Sequence, residues 1–534
     1  MTDTYWYQPY PSQRSPVLAK NIVTTSQPLA AAAGLDVLRA GGNAVDAAVA
    51  TAAVMAIVEP GSNGLGADNF AMVWHEGKLY GLNASGRAPR AATADSFGNR
   101  RTMPATGWSA VTVPGAVSGW VALSKRFGKL PFAKLMEPAI HYASDGFPVA
   151  PLTASHWGGA RSLGREFPEF AKLFVPGGRT PEAGEIFANP DAGRSLKLIA
   201  ESSGEAYYRG ELARKFAAHA AASGGLFTAE DLASHAADWV EPISVEYHGA
   251  RICQIPPNGQ GLAALQALAI LQQRDIRGLA PDCPDVQHLG IEAMKLAFAD
   301  AHQFIADPAY MTVTPEQLLD PKYIARRAAL VLPDRAGDPQ AGMPKDGGTI
   351  LLATADAAGT MVTLIQSNYQ GFGSGIVIPG TGIHLQNRGA CFVLTPGHCN
   401  RIAGGKRPYH TIIPGFVTRK NDAGGEEPFM AFGVMGGFMQ PQGHLQVATR
   451  MIDFHQNPQT ALDAPRWQVL DGKRVTIEPG FEKSVYDELQ RRGHELTLAS
   501  HRAIQFGSGQ VILRLKDCYA AASDPRHDGQ AVGY

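Results

Sequence analysis

The chain has 534 residues, of which 45% are hydrophobic and 18% charged, the composition of an ordinary soluble globular protein with a large core. A net charge of -1 provides no basic excess that would favour nucleic acid or an anionic membrane, so neither is expected as a partner. The five cysteines are scattered and odd in number, which argues against a disulfide framework and favours a reducing compartment.

The first residues contain no basic segment followed by an apolar run, so they do not resemble a signal peptide. The longest apolar stretch, Ala47–Val58, is too short to span a bilayer. These features predict a cytoplasmic protein.

The sequence before residue 345 predicts helices and short strands. A helix is expected over Gln27–Ala40, and Asn43 should cap a buried, apolar helix that ends at Val58, with Asp46 as a capping or helix-dipole partner. The further expectations are strands at Phe70–Trp74 and Leu79–Leu82, helices at Trp120–Phe127 and Phe132–Asp145, a mostly helical segment 151–240, a strand at Val245–Ile255, a helix at Glu292–Ile305 and a polar connector over 307–345.

Gly259-Gln-Gly-Leu-Ala-Ala264 matches a dinucleotide-binding pattern after a strand and before a helix. Pro256 and Pro257 interrupt that strand, and no acidic residue follows at the required distance. A glycine turn packed against a helix is therefore the better interpretation, and no cofactor is expected.

The C-terminal part predicts a hairpin followed by alternating strands and helices. Its strands, Thr349–Ala355 and Thr360–Ser367, are joined at Gly359, which suits the positive φ of a tight turn. Beyond it we expect strands at Ile383–Leu385, His410–Val417, Pro428–Val434 and Val475–Ile477, helices at Leu445–Phe454 and Glu482–Arg492, and a final strand pair around 496–515. Strands and helices without βαβ alternation favour an α+β fold.

Gly348 and Thr349 join a flexible, polar loop to the first strand of this hairpin. A threonine hydroxyl is a weak nucleophile that needs a neighbouring base. If the chain is cut before Thr349, the new α-amino group can serve as that base, since its reference pKa is about 7.7–8. The alternative is a hairpin with an ordinary loop, which spacing alone would favour.

Several motifs along the chain resemble the γ-glutamyltransferase superfamily of N-terminal-nucleophile hydrolases. They comprise Leu38–Ala50, Val58-Glu-Pro60, Val113-Pro-Gly115, the segment beginning at Thr349, Phe372–Gly375, Pro379–Ile383 and Asp524–Gly529. The resemblance covers essentially the whole chain in order. It implies a four-layer αββα sandwich and autocleavage between Gly348 and Thr349, giving subunits 1–348 and 349–534 that stay together as a heterodimer and could pair further into a dimer of heterodimers.

The resemblance also implies roles for residues around the nucleophile. Ser367 stands where the family has a second Thr that hydrogen-bonds the nucleophile. Gly436 and Gly437 follow a predicted strand and would offer N–H groups to an oxyanion, although a simple tight turn is the alternative.

The positions that would recognise a γ-glutamyl head depart from the family pattern. Ser85 stands where an Arg is usual, with Arg87 close by as a possible replacement, and Tyr369 stands where an Asn is usual. The segment Asn387-Arg388 replaces one that carries a Gln and an Asp, and His410-Thr411 replaces a Ser pair.

These replacements favour a small acid amide without an α-amino group. Arg388 could bind a carboxylate, with Tyr369 and His410 as further donors. The alternatives are a structural ion pair for Arg388 and a core histidine for His410.

The motifs around Tyr369, Arg388 and His410 are similar to an oxamate amidohydrolase-like subgroup. The leading expectation is hydrolysis of a small carboxylate-bearing amide through an acyl-threonine. The alternatives are a γ-glutamyl hydrolase or transferase acting on glutathione, a glutaryl or cephalosporin acylase, and a non-catalytic binding protein. No His-Glu-x-x-His or P-loop motif occurs, and Cys391, His398 and Cys399 lack paired zinc spacing, so no metal is expected.

Overall fold

The computed structural model describes residues 13–339, 348–500 and 503–534. The strands in these residues are β1 Val17–Ala19, β2 Ile22–Thr25, β3 Asp68–His75, β4 Lys78–Asn83, β5 Phe147–Pro148, β6 Ile186–Phe187, β7 Asp238–Val240, β8 Ile243–Tyr247, β9 Ala250–Gln254, β10 Gly348–Ala355, β11 Met361–Tyr369, β12 Val377–Ile378, β13 Ile383–His384, β14 Gly415–Lys420, β15 Glu426–Val434, β16 Trp467–Asp471, β17 Arg474–Ile477, β18 Glu495–Leu498, β19 Gly509–Arg514, β20 Tyr519–Ser523 and β21 Gln530–Gly533. The α-helices are α1 Pro28–Arg39, α2 Ala44–Val58, α3 Ala116–Phe127, α4 Phe132–Asp145, α5 Pro151–Trp157, α6 Ala160–Glu166, α7 Pro168–Phe174, α8 Pro190–Glu201, α9 Glu205–Tyr208, α10 Glu211–Ala222, α11 Ala229–Ala233, α12 Gly261–Leu271, α13 Pro284–Phe304, α14 Pro315–Leu318, α15 Pro321–Ala328, α16 Met439–Ile452, α17 Pro458–Asp463 and α18 Lys483–Arg491.

Two antiparallel seven-stranded sheets form the centre of the molecule. One has the strand order β1-β20-β19-β15-β14-β9-β8 and the other β21-β2-β10-β11-β3-β4-β7. Each sheet combines strands from both sides of the Gly348–Thr349 bond. In one sheet β2 lies between β21 and β10, and β11 pairs with β3; in the other β1 pairs with β20, and β9 with β14. The two predicted subunits therefore share both sheets.

Three layers of buried apolar side chains separate the two sheets and the helices outside them. One lies between the β10–β11 sheet and helices such as α2, and another lies between the second sheet and α12, α13 and α16. The third, the inter-sheet core, includes Phe70, Leu351, Ile365, Phe416 and Ala431. This arrangement confirms the predicted α+β, four-layer αββα sandwich.

The start of helix α2 has the capping residues and the burial that its sequence predicted. The Asn43 side chain accepts a hydrogen bond from the Asp46 N–H at 2.9 Å, and the Asp46 carboxylate accepts one from the Asn43 N–H at 3.0 Å. This reciprocal capping box confirms the capping role predicted for Asp46. Every residue of α2 is buried, as its apolar composition indicated.

The structure corrects several predicted elements. The strand expected at Val245–Ile255 is a hairpin of β8 and β9, and the connector expected over 307–345 contains α14 and α15. The final strands do not pair with each other as expected, because β18 runs parallel to β17 while β19 pairs with β15 and β20. Strand pairing over such sequence distances leaves no local signal.

All five cysteines are free thiols. No helix in the described part of the chain has the length and apolar character needed to cross a membrane.

Candidate active site

Thr349 and Ser367 meet at a β-bulge between β10 and β11. Gly348 pairs with Tyr369 and Ile350 with Gln366, so Ser367 and Asn368 together lie opposite Thr349. Thr349 has the strand parity of Leu351, and Ser367 that of Ile365, which places both side chains on the inter-sheet face. Their hydroxyl oxygens are 3.0 Å apart, and both residues are fully buried. Bulges of this kind re-aim side chains beside active sites.

The backbone after Ser367 fixes the direction of this hydroxyl pair. The Tyr369 N–H donates to the Ser367 hydroxyl oxygen at 2.8 Å. Tyr369 adopts a φ of 74°, a left-handed conformation that is uncommon for a large side chain. Because the Ser367 oxygen already accepts this bond, its own proton can point towards Thr349, which suits the predicted role of Ser367.

Arg388 is fully buried, and its guanidinium is only partly satisfied. It begins a short 3-10 turn, donates to the Thr411 hydroxyl at 2.7 Å and lies 4.7 Å from the centre of the Tyr369 ring. Its Nε lies 4.0 Å from the Asp68 carboxylate. Neither Nε nor Nη2 has a hydrogen-bond partner among the described residues. Two nitrogens without hydrogen bonds on a buried cation form a ready site for a carboxylate.

Asp68 lies between Arg388 and strand β11, which carries Ser367. It is the register partner of Ser367 on β3, so the two side chains share a face of the sheet. Its Oδ1 accepts hydrogen bonds from the N–H groups of Gly86 and Gly115, at 3.3 and 3.2 Å. Burial raises the pKa of Asp68 to about 7, and Arg388 and these N–H groups only partly offset that effect.

His410 completes the set of residues around Asp68. Its Nε2 lies 3.1 Å from Asp68 Oδ2, and its Nδ1 accepts from the Ile412 N–H at 3.4 Å. Burial, with the nearby Arg388 and Arg407, holds the pKa of His410 well below its usual value, so the ring is neutral and Nε2–H donates to Asp68. We call Asp68, Arg388, His410 and Thr411 the Arg388 cluster.

Gly436 and Gly437 lie between β15 and α16, both with positive φ, of 119° and 60°. Their carbonyls accept bonds from Met439 and Gln440, but neither of their own N–H groups donates to another described residue. Helix α16 begins at Met439, and its N-cap residue makes no side-chain capping bond. The positive end of the helix dipole and the two N–H groups thus favour a negative charge at this turn.

Three further residues predicted to bind the substrate, Tyr369, His410 and Asn387, form hydrogen bonds within the protein. The Tyr369 hydroxyl is hydrogen-bonded to Cys391, and both ring nitrogens of His410 are hydrogen-bonded within the protein. These two side chains therefore position the residues of the site, and their polar atoms are not directed at a substrate. The Asn387 amide is used structurally, because it binds the Ala105 carbonyl, the Gln370 side chain and the Gln370 N–H. The Asn387 side chain is therefore not positioned to donate a hydrogen bond to a substrate.

Arg87 does not join the Arg388 cluster. Its half-exposed guanidinium pairs with Asp307 at 3.2 Å and with the Gly405 carbonyl at 3.1 Å. This geometry does not support the prediction that Arg87 replaces the Arg that the family has at the position of Ser85. Ser85 itself is buried and donates to the Asn83 side chain.

Asp68 is the important residue that sequence reasoning missed. Its signal was an acidic residue at the start of a strand that is otherwise apolar, Asn69 excepted, through Trp74. Nothing in the sequence showed that β3 pairs with β11, and that pairing alone brings Asp68 beside Ser367.

One group of side chains has the geometry of a possible metal site among the described residues. His288, Glu292 and His494 are buried with their ligand atoms within 4.8 Å of one another. However, Lys295 Nζ donates to Glu292 at 2.8 Å, and the two histidines bond to each other at 2.8 Å. Because the lysine ammonium already supplies the positive charge, the donor set does not fit a metal ion.

Comparison with known proteins gives consistent results. The family model for gamma-glutamyltranspeptidase matches residues 30–534. A glutathione hydrolase-like proenzyme of Bacillus subtilis is 35% identical over 97% of this chain and 99% of its own length. An oxamate amidohydrolase proenzyme of Klebsiella pneumoniae is 34% identical over 95% and 97%. The crystal structure of a cephalosporin acylase from Bacillus halodurans is 47% identical, with a TM-score of 0.95 over 100% of this chain and 99% of that chain.

Proposed function

Because the chain belongs to the gamma-glutamyltranspeptidase family, and is therefore a self-processing N-terminal-nucleophile amidohydrolase, we propose that Thr349 is its nucleophile and a short carboxylate-bearing amide its substrate. The observation that carries the substrate class is the buried Arg388 guanidinium, two of whose nitrogens make no hydrogen bond to a described residue. Oxamate is the smallest amide that fits this description.

In the precursor, the Thr349 hydroxyl attacks the Gly348 carbonyl carbon. The Gly348–Thr349 C–N bond breaks as the new C–O ester bond forms, and the hydroxyl proton passes to the departing nitrogen. Water then hydrolyses the ester, which leaves a carboxylate on Gly348 and a free α-amino group on Thr349. The proposal is supported by the 3.0 Å contact between the hydroxyls of Thr349 and Ser367, which holds the nucleophile in one direction.

In the mature enzyme, the Thr349 hydroxyl attacks the substrate amide carbon. The α-amino group takes the hydroxyl proton and delivers it to the leaving nitrogen. The N–H groups of Gly436 and Gly437 hold the oxyanion, a contribution of roughly 3–4 kcal/mol per donor in other hydrolases. Water then hydrolyses the acyl-threonine by the same route.

The strand register supports a short acyl group. Ser367 and Asp68 are directly opposite on neighbouring strands, which puts their Cα atoms about 5 Å apart. The Arg388 Nε lies 4.0 Å from the Asp68 carboxylate. A carboxylate bound by Arg388 is thus close to the hydroxyl pair, as a short acid requires.

Ammonia release from oxamate tests this function. Acetamide is the matched control, since it lacks only the carboxylate, and we expect turnover of oxamate and none of acetamide. Glutathione and a glutaryl amide, assayed on the same preparation, measure the competing specificities. Efficient glutathione turnover without oxamate turnover would refute the proposed substrate.

A second candidate is an acylase that removes a dicarboxylic acyl group, such as glutaryl, from a larger amine. It is favoured by the 47% identity with the Bacillus halodurans cephalosporin acylase. Both candidates place the acyl carboxylate on Arg388 and differ in acyl length, so the ratio of glutaryl amide to oxamate turnover separates them.

A further inference from the structure

A cavity of about 330 Å³ adjoins the predicted oxyanion turn, and its walls include Glu59, His156, Trp157, Phe372 and Gly436. None of the four residues of the Arg388 cluster lines this cavity. Phe372 lies three residues beyond Tyr369, at the end of the nucleophile hairpin. The cavity is thus next to the reacting centre but separate from the acyl carboxylate site.

Glu59 is the polar anchor of this cavity. The residue is 4% exposed, and its Oε2 accepts a hydrogen bond from the Ser26 hydroxyl at 2.8 Å. Its Oε1 makes no hydrogen bond of normal geometry among the described residues, although the nearby Ser62 hydroxyl helps to lower the pKa of the carboxyl. His527 Nε2 lies 3.8 Å from Oε1, which is beyond hydrogen-bond distance. A buried carboxyl oxygen without a donor is costly, and a ligand that donates to it would remove that cost.

The surroundings favour a cation as this donor. Among the described residues, the lining contains neither Lys nor Arg. Burial lowers the pKa values of His156 and of His527, the latter to about 3, so both rings are neutral near pH 7. Trp157 and Phe372, with rings 5.6 Å apart, provide aromatic faces that attract cations.

Burial also raises the pKa of Glu59 to about 8, so its carboxyl is protonated at neutral pH when the cavity holds no cation. An arriving ammonium favours the ionised form, so the carboxyl releases its proton to solvent and forms an ion pair with the ammonium. The Glu59 carboxyl is therefore neutral in the empty cavity and ionised only when an ammonium is bound.

We propose that this cavity binds the leaving half of the amide substrate, and that this half carries a primary amino group which pairs with Glu59. The assignment to a leaving half rests on the proposed function, because it depends on Gly436 marking the reacting carbonyl. It narrows the substrate to an N-(aminoalkyl) amide of a short acid.

Two isosteric substrates test the specificity. N-(3-aminopropyl)oxamate and N-butyloxamate differ by an ammonium in place of a methyl group. We expect kcat/KM for the amino compound to exceed that for the butyl compound at least tenfold in the wild type, and this preference to disappear in Glu59→Gln, which keeps the shape of the side chain. Equal values in the wild type, or a preference that persists in Glu59→Gln, would overturn the proposal.

A binding experiment keeps this proposal separate from the proposed function. Butylamine and 1-butanol are titrated calorimetrically into the wild type and into Glu59→Gln. We expect the amine to bind at least tenfold more tightly than the alcohol in the wild type, with the difference lost in the variant. Equal affinities in the wild type would contradict the cation site even if oxamate is hydrolysed, whereas amine binding through Glu59 without any oxamate turnover would refute only the proposed substrate.

Discussion

At the scale of single residues, the site depends on a cation that is buried before any substrate arrives. Arg388 is held by Thr411, Tyr369 and Asp68, yet two of its guanidinium nitrogens make no hydrogen bond to a described residue. A structural ion pair alone would use these groups, because buried donors are normally satisfied. The geometry therefore favours substrate binding over the purely structural alternative.

Replacing Arg388 by Ala should raise KM for oxamate roughly 10- to 100-fold, since a hydrogen bond to a charged group contributes about 1.5–3 kcal/mol. Cleavage at Thr349 should persist, because the described hydrogen bonds of the Arg388 guanidinium go to Thr411 and Cys391 and not to Thr349 or Ser367. Arg87→Ala is the matched control and should leave KM unchanged, since Arg87 pairs with Asp307. Steady-state kinetics of both variants measure this, and an unchanged KM in Arg388→Ala would show that Arg388 is structural.

Asp68 should make substrate binding depend on pH. Its pKa is raised from 3.8 to about 7, so below pH 7 it is neutral and the Arg388 charge is available to a carboxylate. Above pH 7 the ionised Asp68 competes for Arg388, and KM for oxamate should rise by up to about tenfold per pH unit.

The pH profile of KM, read apart from that of kcat, measures this effect. Asp68→Asn cannot ionise and should flatten the profile. A profile of KM that is already flat in the wild type would contradict the role of Asp68.

At the scale of elements, the turn between β15 and α16 is shaped by its glycines. A Cβ on Gly436 would lie 3.0 Å from Gly507 Cα, and its φ of 119° is one that other residues rarely adopt. Strain of this kind costs about 1–3 kcal/mol and would move the N–H groups that the turn presents.

Gly436→Ala should therefore lower kcat by about 100-fold if one oxyanion donor is lost. Gly480→Ala is the matched control, because Gly480 has a similar φ of 126° but lies beside Pro465, which has no predicted role in the site. Both variants should melt at a lower temperature, and only Gly436→Ala should lose kcat. Equal kcat values in the two variants would contradict the oxyanion role.

The sequence could predict those parts of the site that depend on contacts within one hairpin or one turn. Thr349 and Ser367 lie on adjacent strands of one hairpin, so their contact follows from local pairing. The glycine turn and the capping box of α2 are also local patterns. Asp68 reaches the site through pairing between β3 and β11, some 300 residues apart in sequence, and the bonds that engage Asn387 and Arg87 depend on loops whose positions no periodicity encodes.

At the scale of the whole molecule, the four layers explain how a chain can be cut and remain one enzyme. Strand β10 begins at the proposed cleavage position and lies between β2, which precedes that position, and β11, which follows it. The other sheet also mixes both pieces, through the pairing of β9 with β14 and of β1 with β20. The composition predicted a large core, but the division of each sheet between the two predicted subunits follows only from the strand order.

The most direct test of self-cleavage at Thr349 is the intact mass of the purified protein under denaturing conditions, measured beside a Thr349→Ala variant. We predict two fragments in the wild type, Met1–Gly348 and Thr349–Tyr534, and a single chain of 534 residues in the variant. Cleavage at another position, or one uncut chain in both proteins, would contradict the assignment of Thr349 as nucleophile.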